Sequence, residues 1–472
     1  MTNPGSVQLF ADNPAEFFED SHTAMGSIPR RTMEKLQLSA LQWRFASLQP
    51  EVPVLQKLAE KQGITSLATV DDVVPLLFEH SIYKSYPRKF LEKFQFTNIN
   101  QWLGKLTSHR ISEIDVSQCT SIDDWLGVME SQTPLRITHS SGTTGTMSFL
   151  PHSEDEYDAL GRSMRMCFLQ NFGDKRPASF EPYQVIFPFY RYGFSSQIRG
   201  NTQYIKWLAQ GEDNFHTPFN EHMSSDVLYL AARVRHATLT GTLDRLEISE
   251  SLLSRQSEFE AAQAAAPEIL NRFFERLFNE LRGETIFTIG TWNLLLDLAK
   301  TGLEKGQEAI FSGDSVVLSG GGAKGMTPPA DWKADVCRFI GARHIGMNYA
   351  MSEVMGFNKM CSAGRYHIVP WLIPFVLDAN TSHPLPRKGV VTGRAAFFDL
   401  MARHRWGGLI TGDEVTIDWD TKCECGQETY HLAPTIKRFS EKTGDDDKIT
   451  CAAQPQAHAE AMDFLANYSA LV

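Results

Sequence analysis

From about residue 135 onward, short apolar runs closed by Gly, Ser or Thr alternate with stretches of helical spacing. The runs are Leu135–Thr138, Gln184–Phe189, Thr285–Ile289, Ser315–Ser319 and Leu409–Thr411. Runs this short, bounded by turn formers, read as buried strands, and their alternation with helices points to layered α/β packing. The longest stretch between them, Ser249–Arg282, carries Leu270, Phe273, Phe274, Leu277 and Leu281 at the spacing of one helix face. Before residue 135 the pattern is mainly helical. Leu38, Leu41, Phe45 and Leu48 form one apolar stripe ending at Pro50, and Val73, Val74, Leu76 and Leu77 form a second within Asp71–Glu79.

Composition narrows the function classes. The chain has 472 residues with a formal net charge of −11, which argues against a broad basic face for nucleic acid. No 18 apolar residues run together, so no membrane span is expected. The start, Met-Thr-Asn-Pro-Gly, lacks the basic and apolar regions of a secretory signal, and seven cysteines over this length suit a reducing cytoplasm. No internal repeat is visible. Three parts are expected: a mainly helical 1–135, a core of 136–440, and 441–472, which opens on a polar stretch with three consecutive aspartates and has room for one strand (Lys448–Ala452) and one helix (Ala457–Leu465).

The densest chemical signal is Ile137-Thr-His-Ser-Ser-Gly-Thr-Thr-Gly-Thr146, directly after a strand-like run. Small residues let a backbone approach phosphate oxygens, and hydroxyls donate without bulk. An ordinary Ser/Thr/Gly loop has the same composition, and no Gly-Lys-Ser/Thr of the Walker type follows.

Ser140-Ser-Gly-Thr-Thr-Gly145 resembles the phosphate loop of the adenylate-forming superfamily of acyl-CoA synthetases, adenylation domains and luciferases. Further segments follow in that family's order: Ser319-Gly-Gly-Gly-Ala323, similar to its adenine-binding segment; Tyr349-Ala-Met-Ser-Glu353; Thr411-Gly-Asp413; and Arg438. Within that superfamily, Ser352-Glu-Val-Met-Gly356 resembles the phenylacetate-CoA ligase branch. The resemblance implies the large α/β domain of that family, with a C-terminal mobile domain shortened to the strand–helix remnant. It implies ATP held by Ser140, Ser141, Gly142, Thr143, Thr144, Gly145, Gly321, Gly322, Ala323, Tyr349, Ala350, Met351, Asp413 and Arg438. Glu353 would carry Mg²⁺, Ser352 and Thr143 would orient phosphate oxygens, and Asp413 would accept the ribose hydroxyls. Thr146-Met-Ser148 lacks the lysine that many members carry after the loop. Tyr190, Tyr192, Phe194, Trp292 and Met355 lie on segments that line the acyl pocket in relatives, although core packing is the better explanation for any single one of them.

Cys361, His367, Cys423 and Cys425 offer three sulfurs and an imidazole, the set of a tetrahedral structural zinc site, and four unconnected core residues fit the same spacing. Phenylacetate-CoA ligase relatives carry a similar arrangement, which implies Zn²⁺ here; His431 is a substitute ligand. The expected activity is ATP-dependent conversion of a hydrophobic or aromatic carboxylic acid to acyl-AMP, with transfer to a thiol of CoA or of a phosphopantetheine carrier protein. Transfer to another acyl-accepting partner, as in acyl-protein synthetases, and an inactive nucleotide-binding scaffold are the alternatives. No residue takes the role of the family's mobile-domain lysine, so the second step is expected to lean on a partner, with self-acylation at Cys451 as the competing route.

Overall fold

The short apolar runs become strands of a six-stranded sheet whose order is Asn358–Lys359, Ile345–Tyr349, Val316–Gly320, Ile286–Gly290, Gln184–Ile186, Phe215–His216. The computed structural model describes residues 4–140, 146–174, 181–321, 327–439, 461–462 and 464–465. From Ile345–Tyr349 to Phe215–His216 every pairing is parallel, and Asn358–Lys359 closes one edge antiparallel. Parallel strands need crossovers, and the helices Trp292–Glu304 and Trp332–Ile340 supply two of them. Their apolar faces bury Leu295, Val336 and Phe339 against Ile286 and Val317. The strands end in Gly290, Gly320 and Tyr349 on one edge, the carboxyl edge at which open α/β sheets bind ligands.

A second, seven-stranded sheet is mostly antiparallel, with Tyr366–His367, His431–Leu432, Gly408–Asp418, Val390–Asp399 and Leu372–Leu377 in order. Phe78–Glu79 adds to Gly408–Asp418 in parallel and Lys437–Arg438 in antiparallel sense. The N-terminal helices share this sheet's core: the rings of Phe45 and Phe398 both meet Trp406 edge-on, at 6.0 and 4.6 Å. Polar groups tie the same layers, as Arg44 Nε donates to the Leu400 carbonyl at 2.7 Å and Gln37 to that of Pro370 at 2.8 Å.

Several expectations shift. Helix Arg30–Leu48 buries Met33, Leu36, Leu41, Phe45 and Leu48, while Leu38 lies at the edge of that face. The second stripe is a 3₁₀ helix, Val70–Leu76, followed by the strand Phe78–Glu79; Pro75 has no amide to extend an α-helical ladder. Ser249–Arg282 splits into Glu250–Leu253, capped by Ser249, and Gln256–Asn279. Leu270, in the turn after Pro267, is 37% exposed. Leu409–Thr411 is part of the 11-residue strand Gly408–Asp418. Lys448–Ala452 and Cys451 lie outside the described residues. Of Ala457–Leu465, the described residues are helical, with Ala461, Met462 and Leu465 packed in a cluster with Val227, Leu230 and Phe259. Among the described residues no helix is long and apolar enough to cross a membrane.

Candidate functional site

Three of the motif segments, carrying Tyr349, Asp413 and Arg438, meet at the carboxyl edge of the parallel sheet. Thr411-Gly-Asp413 falls at an irregularity in the second sheet, where the pairing jumps from Ala396↔Ile410 to Arg394↔Glu414. The Thr411 hydroxyl donates to the Ala395 carbonyl at 2.7 Å, and Arg394 Nε donates to the Thr411 carbonyl at 2.7 Å. A bulge re-aims the side chain that follows it, and here that side chain is Asp413. Its Oδ2 accepts from the Tyr349 hydroxyl at 2.9 Å, and Arg438 Nε stands 3.5 Å from Oδ1. Two of roughly four acceptor positions on the carboxylate are thus engaged, leaving capacity for a diol. Burial first, then the Asp413 charge, pushes the Tyr349 phenol well above its ordinary range, so it remains a donor.

Ser352 and Glu353 lie in the turn after Ile345–Tyr349, with Ala350 and Met351, all half-buried. The Ser352 hydroxyl donates to Ser196 Oγ at 2.9 Å. Ser195 bridges to His139, and the His139 amide donates to the Phe194 carbonyl at 3.2 Å. This seats the hairpin Leu135–Ser140/Ser148–Ser153 next to the turn. Ser140 ends the first strand of that hairpin; Ser141, Gly142, Thr143, Thr144 and Gly145 lie outside the described residues, as do Gly322 and Ala323. Gly321, at φ +86°, directly follows the neighbouring strand Val316–Gly320, in the left-handed region that glycine enters without strain. Among the described residues no hydrogen bond or ion pair engages the Glu353 carboxylate, which lies within electrostatic reach of Tyr349 and Tyr83.

Four charged or ionisable side chains invisible to motif reading hold the turn from behind. His152, Glu156, Asp399 and Arg405 are each at most 1% exposed. His152 Nε2 donates to the Ser352 carbonyl at 2.9 Å, and the Met355 amide donates to Asp399 Oδ2 at 2.9 Å. Arg405 joins the two grips, 2.9 Å from Asp399 Oδ2 and 3.3 Å from His152 Nδ1, with Glu156 3.5 Å from the same Nδ1. Burial alone would raise the Glu156 carboxyl, but the His152 hydrogen bond and the Arg405 charge outweigh it and hold it at about 2. The available sequence signal was Asp399, a lone carboxylate closing the apolar run Ala395–Phe398.

The five expected acyl-pocket residues do not share one wall. Tyr190 stacks on Phe219 at 4.9 Å and Phe194 tilts against His222 at 4.7 Å, on the parallel ribbon formed by Tyr190–Gly193 and Phe219–Met223. Tyr192 is 50% exposed, Trp292 packs in the core around Phe339, and Met355 is buried beneath the Ser352 turn.

Cys361, His367, Cys423 and Cys425 present four donor atoms all within 4.8 Å of one another; His431 is not among them and faces the Thr421 carbonyl at 3.2 Å. The Cys361 and Cys423 sulfurs are 3.8 Å apart, and Cys425 Sγ is 3.3 Å from His367 Nε2. Tetrahedral bonds of about 2.3 Å to zinc separate sulfurs by about 3.8 Å, so the donor set fits the ion. His367 Nδ1 lies 2.9 Å from the Thr429 hydroxyl, an outer contact that leaves Nε2 to face the centre. Gly426, at φ +92°, turns the chain sharply after Cys425.

No protein-family model matches the sequence, and no curated protein matches it. Among solved structures, the chain is similar to an open conformation of 2-hydroxyisobutyryl-CoA ligase in complex with 2-HIB-AMP and CoA, at 13% identity over 88% of this chain and 71% of that one, with a TM-score of 0.48. It is also similar to ATP-bound MatB from Rhodopseudomonas palustris, at 15% identity over 63% of this chain and 46% of that one, with a TM-score of 0.34.

Proposed function

We propose that this chain, as an adenylate-forming enzyme, activates a carboxylic acid with ATP and passes the acyl group to a thiol. The observation that carries the reading is the pair of contacts that Asp413 makes with Tyr349 and Arg438, which joins three ordered motif segments at the carboxyl edge of a parallel sheet. In the first step a substrate carboxylate oxygen bonds to the α-phosphorus while the bond to the β-phosphate oxygen breaks, giving acyl-AMP and pyrophosphate. In the second a thiolate sulfur bonds to the acyl carbon and AMP leaves. Asp413 would accept the ribose hydroxyls, and the Ser352 hydroxyl would orient a phosphate oxygen. Glu353 would hold Mg²⁺, which when bound neutralises charge on the leaving pyrophosphate. Cys361, His367, Cys423 and Cys425 would hold a structural Zn²⁺ that ties Tyr366–His367 to the loop after Gly408–Asp418. The acceptor is CoA or the phosphopantetheine arm of a carrier protein.

Acid-dependent exchange of labelled pyrophosphate into ATP tests the reading. Wild-type protein should exchange with at least one acid of a varied panel, and Glu353→Gln should lose about a hundredfold or more in rate with its melting temperature within a few degrees of wild type. Absence of exchange with every acid, alongside intact ATP binding, would instead identify a nucleotide-binding scaffold.

A further inference from the structure

A cavity of about 590 Å³ opens beside the ribbon that carries Tyr190 and Phe219, within the roughly 300–1,000 Å³ range of small-molecule sites. Its near wall, Pro188–Tyr190 and Pro218–Phe219, follows directly on the parallel strands Gln184–Ile186 and Phe215–His216. Its far wall is the helix Gln256–Asn279, where Ala262 and Ala266 leave room between Phe259 and Phe273. Pro267 lacks the amide that would bond the Gln263 carbonyl, loosening the helix within this wall.

The ribbon that walls this cavity also reaches the Ser352 turn. Phe194 lies against His222, which lines the cavity, and Ser196, two residues on, bonds Ser352. Between Gln184–Ile186 and Ile345–Tyr349 lie three strand spacings of ~4.8 Å, about 14 Å in all. The charges bordering the cavity are Glu221, Glu258 and Asp297 against Arg255, with His222 beside them, and both guanidinium contacts of Arg255, at 3.0 and 2.9 Å, go to Glu258. That border disfavours a second carboxylate and leaves the apolar interior for an uncharged tail.

Resting on the adenylation reading above, we infer that the substrate is an acid with a long, flexible alkyl tail, its carboxylate at the Ser352–Glu353 turn and its tail in this cavity. A single aromatic ring is too short for that span. Burial of each methylene then contributes about fourfold to kcat/KM until the cavity is filled.

Pyrophosphate release with unbranched acids from butanoate to hexadecanoate, and with phenylacetate, reads the length dependence. Wild type should rise steeply with length, and Ala262→Phe and Ala266→Trp should each lower the hexadecanoate-to-butanoate ratio by about tenfold or more. General destabilisation would lower both rates and leave the ratio intact. A flat length profile, or an unchanged ratio in both filled variants, overturns the inference while leaving adenylation standing. Displacement of a fluorescent alkyl probe by hexadecanoate without ATP separates the two claims. If no acid supports pyrophosphate release but the wild type holds the probe and the filled variants do not, the cavity's tail site stands and the adenylation reading falls. Absence of probe binding by wild type overturns the tail site.

Discussion

At the scale of single residues, the cysteine–histidine cluster carries the sharpest expectation. Burial pushes the Cys423 thiol up to about 12 and the His367 imidazole down to about 3, so His367 stays neutral and able to donate its lone pair, while the Cys423 thiol ionises only beside a cation. Purified protein should contain about one equivalent of zinc by elemental analysis, and Cys423→Ser should lose most of it and melt several degrees lower. Metal-free wild type of undiminished melting temperature would reduce the four to packing residues. These four were readable in the sequence as a set through the resemblance to phenylacetate-CoA ligases, because their spacing alone fits four unconnected core residues as well. Asp413 was legible as a residue, but its aim depends on a bulge set by Thr411 and Ala395, which no local pattern encodes.

Between elements, two buried charge arrangements decide stability. His152, Glu156, Asp399 and Arg405 come from a strand, a helix, a strand end and a loop, and each alone reads as an ordinary polar residue. Only the packing of the hairpin against the second sheet brings them together, which is why Asp399 alone carries a local signal and the group as a whole is not readable from any one segment. Arg405→Met should lower unfolding free energy by about 3–5 kcal/mol, because it leaves buried carboxylates without their cation. Adding Asp399→Asn should recover part of that loss in a double-mutant cycle of denaturant melts. The second arrangement joins the starts of helices Ile122–Gln132 and Ser225–Thr240. Asp226 accepts from the Ile122 amide at 3.0 Å, and Asp123 accepts from the Ser225 amide at 3.0 Å. Burial, then the Asp123 charge, raises the Asp226 carboxyl from 3.8 to about 7. The folded state therefore holds that proton more tightly than the unfolded chain, so its contribution is lost as pH rises through this window. The difference in melting temperature between Asp226→Asn and wild type should accordingly grow in the variant's favour from about pH 5 to about pH 8. A difference that is constant with pH would assign Asp226 an ordinary carboxyl.

Over the whole molecule, the alternation of strands and helices was readable as α/β because parallel strands buried on both faces must be short and apolar. The second sheet was not: Gly408–Asp418 carries Thr, Gly, Asp and Glu along its length, since one stretch of it serves the site rather than the core. The helical N-terminal residues and that sheet share one apolar cluster, running from Val7 to Leu432. Calorimetry should therefore show one transition covering both, and a fragment of residues 136–472 should fail to fold. A separate, reversible transition for either part would divide them. The pairing of Phe78 with Leu409 sets an order of assembly as well. A ribosome adding about 5–20 residues per second reaches Leu409 on the order of tens of seconds after Phe78 has emerged. Through that interval the N-terminal helices keep an apolar face with no sheet to cover it, so newly made chains should be clients of a chaperone that shields such faces, and faster translation of the middle of the message should shorten the exposure.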